Sequence, residues 1–404
     1  MTRKSWGWLF LLASVVVVSQ GMTVTTNAQA GQTAREIPQF QVDAAWPKAL
    51  PNNWVFGLVS GINVDSQNHI WVIHRPRTIL PEHKGRAAPA VVEFDQAGNF
   101  IQAWGAPGPG YEWPNTEHGI SVDPRGFVWI AGSSVGKDTQ ILKFTKDGKF
   151  VLQIGRAGAS KGNTDTANVN GAADVFYYAK TNEIFVADGY GNRRIIVYDG
   201  DSGAFKRMWG AFGNVPADRK QGEPTFTADD DTSKDGPPQF NGVHSVRISN
   251  DGLVYVCDRD NQRVQVFTLQ GKFVSQVFVS RGKMPLSTST ATSWLGKPLK
   301  ELEDGILTDP TSPSRTAFSP DPEQRFLYVL DRRYQRVAIM DRKSLAILGY
   351  FGGGVGNQPG QFYVLHDLAA DSQGNIYTAE VNNAGNRRAQ KFVYKGVARS
   401  TQTR

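Results

Sequence analysis

The stretch HSVRISNDGLVYVCDRDNQRVQVFTLQGKFVSQVF, residues 244–278, decides the fold. Apolar and polar residues alternate in four short runs, which is the period of half-buried β-strands. We predict strands at 245–248, 253–257, 263–267 and 273–278, because Asn-Asp-Gly and Leu-Gln-Gly separate the runs as turns. The stretch therefore predicts one antiparallel sheet of four strands.

The same pattern recurs along the chain, in copies that begin near positions 60, 118, 173, 244, 314 and 366. Several units of four short strands, each unable to bury both faces alone, form a ring. We predict an all-β fold, a six-bladed β-propeller with four-stranded antiparallel blades near 60–105, 118–155, 173–210, 244–278, 314–352 and 366–396. The last copy runs out after its third strand, so an N-terminal strand near 39–43 is expected to complete that blade.

The first 30 residues have the composition of a targeting segment. Arg3 and Lys4 precede an apolar run at 6–18, which is too short to span a bilayer comfortably, and Ala28-Gln29-Ala30 fits a cleavage site. We expect a signal peptide at 1–30, a single propeller domain at 31–404 and a secreted or periplasmic protein. A retained N-terminal anchor is the alternative.

The composition excludes several classes of partner. The net charge of +7 is spread without a basic stripe, and no other stretch approaches a membrane span, so we expect neither nucleic acid nor, after cleavage, membrane as a partner. Cys257 is the only cysteine, which rules out an internal disulfide, and its apolar surroundings predict a buried thiol. The acidic string 227–236 lacks the spacing of an EF-hand and is predicted to be a solvated loop. We expect a monomer.

Histidines begin alternate copies of the repeat. They are His118, His244 and His366, whereas Ser60, Ala173 and Ser314 hold that place in the other copies. In a closed ring, alternate blades lie about a third of a turn apart and point at one axis. Three imidazoles that meet there predict a metal site, since catalytic zinc typically has three protein ligands and one open position.

Polar residues also follow the second strand of several copies, at one rim of the predicted ring. Arg75 and Arg259 would bind a carboxylate there, and Tyr190 could act as a base beside the metal. Other arginines lie in Asp-x-x-Asn-like turns and are predicted to brace a neighbouring blade: Arg193, Arg263, Arg336 and Arg387.

The repeats resemble the NHL-repeat family, and within it the peptidyl-α-hydroxyglycine α-amidating lyases. The segments that carry the likeness are 59–75, 117–130, 186–199, 243–267 and 365–380. The resemblance implies catalytic zinc on His118, His244 and His366, a catalytic Tyr190, active-site arginines Arg75 and Arg259, and structural calcium on the Asp367 side chain with the backbone carbonyls of Ile62 and Ile120. The chain departs from the animal members in lacking their disulfides and in having Val364 where they have methionine.

By this resemblance the protein is a carbon–nitrogen lyase that cleaves an N-acyl-α-hydroxyglycine to an amide and glyoxylate. Its substrate would be a small molecule or peptide with a carboxylate. Two alternatives remain open at this point. One is a non-catalytic NHL propeller that binds a ligand or a protein. The other is a metal-dependent hydrolase such as a lactonase, although such sites use carboxylate and amide oxygens for hard cations.

Overall fold

The computed structural model describes residues 35–220, 222–223, 234–281, 312–381 and 387–400. The predicted signal peptide, residues 227–233 of the acidic string and most of the loop near 280–312 lie outside these ranges. Within them, no helix is both long and apolar enough to cross a membrane.

The described chain forms six antiparallel sheets of four strands. The strands are β1 (Arg35–Asp43), β2 (Leu58–Val64), β3 (Ile70–Arg75), β4 (Val91–Phe94), β5 (Phe100–Trp104), β6 (Glu117–Val122), β7 (Phe127–Gly132), β8 (Gln140–Thr145), β9 (Phe150–Gly155), β10 (Ala172–Tyr178), β11 (Glu183–Asp188), β12 (Arg194–Asp199), β13 (Phe205–Trp209), β14 (Val243–Ile248), β15 (Leu253–Asp258), β16 (Arg263–Thr268), β17 (Phe273–Phe278), β18 (Thr316–Phe318), β19 (Phe326–Asp331), β20 (Arg336–Asp341), β21 (Ile347–Phe351), β22 (Leu365–Ala370), β23 (Ile376–Glu380) and β24 (Ala389–Ser400).

Blades 1 to 5 are sequential sheets, β2–β5, β6–β9, β10–β13, β14–β17 and β18–β21. Blade 6 has the order β1-β24-β23-β22, so that the N-terminal strand pairs with the C-terminal one and Phe40 lies opposite Tyr394. The predicted all-β, six-bladed propeller with four-stranded antiparallel blades is confirmed.

The first strands of the blades surround the central axis. They are β2, β6, β10, β14, β18 and β22, and each contacts the next around the ring, with β22 contacting β2. An apolar core fills each gap between neighbouring blades; Trp71 and Phe144, for example, belong to the core between blades 1 and 2. Because each core is shared by two sheets, closure of the ring buries both faces of every blade.

A salt bridge with a buried carboxylate closes the turn between the second and third strands of four blades. The pairs are Asp188–Arg194, Asp258–Arg263, Asp331–Arg336 and Glu380–Arg388, with N–O distances of 2.7 to 2.9 Å. Arg263 also donates to the backbone carbonyls of Asp235 and Pro237, in the connection that enters blade 4. This arginine therefore ties the connection to its own blade, whereas the sequence predicted a brace to the neighbouring blade.

The brace predicted for Arg387 is confirmed, because its Nε donates at 2.9 Å to the Thr78 carbonyl of the neighbouring blade 1. The prediction for Arg193 was wrong, since the next arginine, Arg194, forms the salt bridge of that turn. Strand pairing places Arg194 directly opposite Asp188, and the spacing of letters in the sequence does not show that register. Arg193 pairs instead with Glu223.

Candidate metal centre

Three histidine side chains meet on the axis of the propeller. His118 lies in β6, His244 in β14 and His366 in β22, and all three are buried. A potential ligand atom from each lies within 4.8 Å of the others. The ring centroids are 4.6 to 5.1 Å apart. The structure thus brings together the three histidines that begin alternate copies of the repeat, and they form a group that could hold a metal ion.

A break in strand pairing accompanies each histidine. The register between first and second strand shifts across His118, His244 and His366, as in a β-bulge. A bulge leaves one residue unpaired and turns its side chain away from the regular alternation of the strand. The bulges therefore direct the imidazoles toward the axis while the flanking residues stay in the sheet.

Each histidine is oriented by the blade that follows it. Its Nδ1 atom faces a backbone carbonyl: His118 faces Ala173 at 2.7 Å, His244 faces Ser314 at 2.9 Å and His366 faces Ser60 at 2.8 Å. A carbonyl can only accept, so Nδ1 carries the proton and Nε2 presents a lone pair. Burial lowers the pKa of all three histidines well below 6.5, which keeps the imidazoles neutral.

Tyr190, just after β11, lies against this cluster and is half-buried. Its hydroxyl oxygen is 2.9 Å from Nε2 of His118 and 3.2 Å from Nε2 of His244. Arg259 Nη1 donates to the same hydroxyl at 3.5 Å. The Asp260 carboxylate accepts from Arg259 Nε at 2.7 Å and thereby fixes the guanidinium. Two imidazoles and a guanidinium therefore all contact the Tyr190 hydroxyl oxygen.

Arg75 ends β3 and approaches the cluster from blade 1, opposite the blade that carries Arg259. Its Nε donates at 3.0 Å to the carbonyl of Glu117, the residue before His118. Burial lowers the pKa of Arg75 and the neighbouring Tyr190 raises it, and the guanidinium remains charged at neutral pH. Two cations from facing blades thus flank the tyrosine, an arrangement that suits a carboxylate ligand.

The donor set fits zinc. Three neutral imidazoles with free Nε2 atoms supply three ligands, and the backbone carbonyls that orient them are the usual support for such ligands. Among the described residues, no carboxylate joins this group. Nitrogen donors favour a borderline ion such as zinc over a hard cation, which prefers oxygen.

The residues implied for calcium lie beside this cluster and do not fit that ion. The Asp367 carboxylate is fully buried, accepts from the backbone N–H of Ile62 at 3.1 Å and forms an ion pair with Arg315. Ile120 is also buried, in the core between blades 1 and 2. An internal guanidinium therefore already binds the carboxylate that a calcium ion would need.

The role of Arg315 was not predicted from the sequence, although the column of the repeat that follows the histidines contains a signal for it. The position after the histidine reads, from blade 1 to blade 6, Gly61, Gly119, Asp174, Ser245, Arg315 and Asp367. One cation and two carboxylates in a single column of the repeat predict a charge cluster on the axis.

A second group of possible ligands, Asp65, His69 and Glu93, lies in blade 1. Lys146 Nζ is 2.6 Å from Asp65 Oδ2, and His69 Nδ1 is 2.7 Å from Glu93 Oε1. Because internal partners satisfy these groups, the cluster is an ion-pair network.

Comparisons with known proteins agree with this fold. A family model described as NHL repeat matches residues 240–267. NHL repeat-containing protein 3 of Mus musculus is 25% identical over 365 residues, which cover 89% of this chain and 85% of that protein.

Two similar proteins are named as lyases. Peptidyl-alpha-hydroxyglycine alpha-amidating lyase 1 of Drosophila melanogaster is 25% identical over 385 residues, 88% of this chain and 60% of the fly protein. A probable lyase of the same name from Caenorhabditis elegans is 29% identical over 228 residues, 52% of this chain and 56% of the worm protein. The protein is thus a six-bladed β-propeller with an NHL repeat, and it resembles the amidating lyases at low identity.

Proposed function

We propose that the protein is a zinc-dependent carbon–nitrogen lyase that cleaves an N-acyl-α-hydroxyglycine, or a related carbinolamide with a carboxylate, to an amide and glyoxylate. The observation that carries the proposal is the Tyr190 hydroxyl, 2.9 and 3.2 Å from two histidine Nε2 atoms with Arg259 beside it. The similarity to the fly and worm lyases supports the reaction class.

Arg75 and Arg259 bind the substrate carboxylate. They approach from facing blades, so a carboxylate between them is held on two sides and fixes the adjacent α-carbon in front of Tyr190. The substrate hydroxyl then points at the three histidines and the tyrosine oxygen.

Zinc on His118, His244 and His366 would act as a Lewis acid toward the substrate hydroxyl oxygen. Tyr190, in its phenolate form, would accept the hydroxyl proton on its oxygen, and the carbon–oxygen bond becomes the aldehyde carbonyl of glyoxylate. The electron pair of the breaking C–N bond stays on the amide nitrogen, which takes the proton back from Tyr190. No water is consumed, which separates this reaction from hydrolysis.

Replacement of Tyr190 by Phe tests this role. We expect the rate of glyoxylate release from a synthetic N-acyl-α-hydroxyglycine to fall about 10²- to 10⁴-fold, the usual contribution of a proton-transfer group, with the zinc content unchanged. Tyr350→Phe is the matched control, because Tyr350 is exposed in the outer strand β21. A Tyr190→Phe protein with undiminished glyoxylate release would exclude the assigned role.

A ligand-binding propeller without turnover is the second candidate. The mouse protein aligned over most of both chains carries a name that states no reaction. This candidate predicts no glyoxylate from zinc-loaded wild-type protein over a panel of N-acyl-α-hydroxyglycines. A hydrolase is less well supported, because the cluster consists of nitrogen donors.

We further propose that the protein is exported and acts as a monomer. The basis for export is the sequence of residues 1–30. The single cysteine, Cys257, is buried and therefore cannot link two chains by a disulfide. Intact mass measurement of the extracytoplasmic fraction should give a chain that begins at Gly31, and light scattering should give one chain per particle. A chain that retains Met1 would contradict export with cleavage.

A further inference from the structure

A charged side chain lies across the axis of the propeller, next to the three histidines. Arg315, directly before β18, is fully buried and forms ion pairs with Asp174 from blade 3 and Asp367 from blade 6. One guanidinium thus joins three blades through two carboxylates. Its planar fork presents five N–H donors in a fixed geometry that contacts both carboxylates, whereas a lysine ammonium is a more compact charge with three donors.

The network around Arg315 is balanced in charge. Asp174 is also bound by Arg247 from blade 4, whose Nη1 is 2.5 Å from Asp174 Oδ2. Two buried guanidinium groups therefore neutralise two buried carboxylates. Removal of one member of such a network leaves an uncompensated charge in the interior, which is strongly destabilising.

Arg315, Asp174 and Asp367 each directly follow either a histidine or a residue whose carbonyl orients a histidine. Asp367 follows His366, Asp174 follows Ala173, and Arg315 follows Ser314. Ala173 and Ser314 supply the carbonyls that orient His118 and His244. A shift of the guanidinium or of either carboxylate would therefore move a histidine or the carbonyl that holds it.

Small residues complete the same layer in blades 1 and 2. Gly61 and Gly119 occupy this column of the repeat, and a Cβ on Gly119 would lie 2.9 Å from the Ala173 carbonyl oxygen. The inner strands therefore approach closely on one side of the axis, and the charged network fills the other side.

We propose that Arg315 takes the place of a divalent cation on the propeller axis, joining the carboxylates of Asp174 and Asp367 and thereby positioning the three histidines. The wild-type protein accordingly needs no calcium at this layer. Without the guanidinium, the two buried carboxylates are left as oxygen donors for Ca²⁺.

The first test measures wild-type protein. Its melting temperature should be the same in EGTA and in millimolar CaCl₂, with MgCl₂ at equal ionic strength as the control for salt. A calcium-dependent rise that Asp367→Asn abolishes would overturn the proposal, whatever the enzymatic activity.

The second test removes the guanidinium. Arg315→Ala in EGTA should melt about 4–6 °C lower, a shift typical of a broken buried pair in a chain of 404 residues, and CaCl₂ should restore most of that loss. Arg315→Lys should be intermediate in EGTA. Arg342→Ala is the control, because Arg342 is also a buried arginine but pairs with the half-exposed Asp251 away from the axis, so calcium should not restore its stability.

A third readout follows the histidines. Zinc affinity, measured by competition with a chromophoric chelator, should fall about 10–100-fold in Arg315→Ala and stay unchanged in Arg342→Ala. This readout depends on the proposed zinc centre, whereas the calcium readouts do not. If Arg315→Ala is as stable as wild type, or is destabilised with no response to calcium, the cation role is wrong. If Arg315→Ala does not fold, Arg315→Lys and the wild-type measurement decide the question.

Discussion

Gly61 lies in β2 where blade 1 passes against the histidine of blade 2, and its replacement by Ala should weaken zinc binding at the proposed metal centre. A Cβ at Gly61 would lie 2.6 Å from the carbonyl oxygen of His118 and 2.7 Å from Cγ2 of Ile73. Since ordinary contacts of this kind begin near 3.4 Å, the two inner strands would have to separate by about 0.8 Å. Metal–ligand distances tolerate only about 0.2 Å.

The expected result is a zinc dissociation constant about 10–100-fold higher in Gly61→Ala, together with a loss of about 1–3 kcal/mol in the free energy of unfolding. The assay is a competition titration against a chromophoric zinc chelator, after far-ultraviolet circular dichroism has shown the β-sheet signal of the wild type. Gly349→Ala is the matched control, because that glycine lies in the outer strand β21 and its Cβ would meet only the Ile37 side chain, at 3.3 Å.

If folded Gly61→Ala binds zinc as tightly as wild type, the close approach of blades 1 and 2 does not position His118. Equal losses of zinc affinity in Gly61→Ala and Gly349→Ala would also refute the reasoning, because the effect would then be one of general stability.

Three further predictions concern the buried polar groups of the propeller. Arg194→Met should lower the free energy of unfolding, measured by urea titration, by about 3–5 kcal/mol, because it leaves Asp188 buried without its cation. Arg399→Met is the control and should be nearly neutral, because that side chain is 78% exposed. Similar losses of stability in the two variants would contradict this reasoning. Burial lowers the pKa of His74 to about 4, so between pH 6.5 and 4 the unfolded chain binds a proton that the folded chain excludes. His74 should therefore contribute about 3 kcal/mol to the fall in the free energy of unfolding on acidification through this range, and His74→Gln should reduce the slope accordingly. An unchanged slope would exclude this origin. Cys257 is fully buried and burial raises its pKa, so a thiol reagent should label it only on unfolding, and rapid labelling of native protein would disprove this.

The sequence by itself determined the architecture and the meeting of the histidines. Alternation of apolar and polar residues is a local property, and its repetition sets the number of blades. The position of His118, His244 and His366 within alternate copies is equally local information. Once the ring closes, residues at one repeat position must face one axis, so convergence could be predicted without any coordinate.

Only the tertiary structure decided which partners these residues have. Strand register, and not spacing in the chain, placed Arg194 rather than Arg193 on Asp188. Ring closure brought Arg315 between Asp174 and Asp367. The Asp367 carboxylate, which the resemblance assigns to calcium, is therefore paired with the Arg315 guanidinium. The physical reason is that an ion pair forms between groups that burial forces together, and burial is a property of the closed ring, which joins residues far apart in the chain.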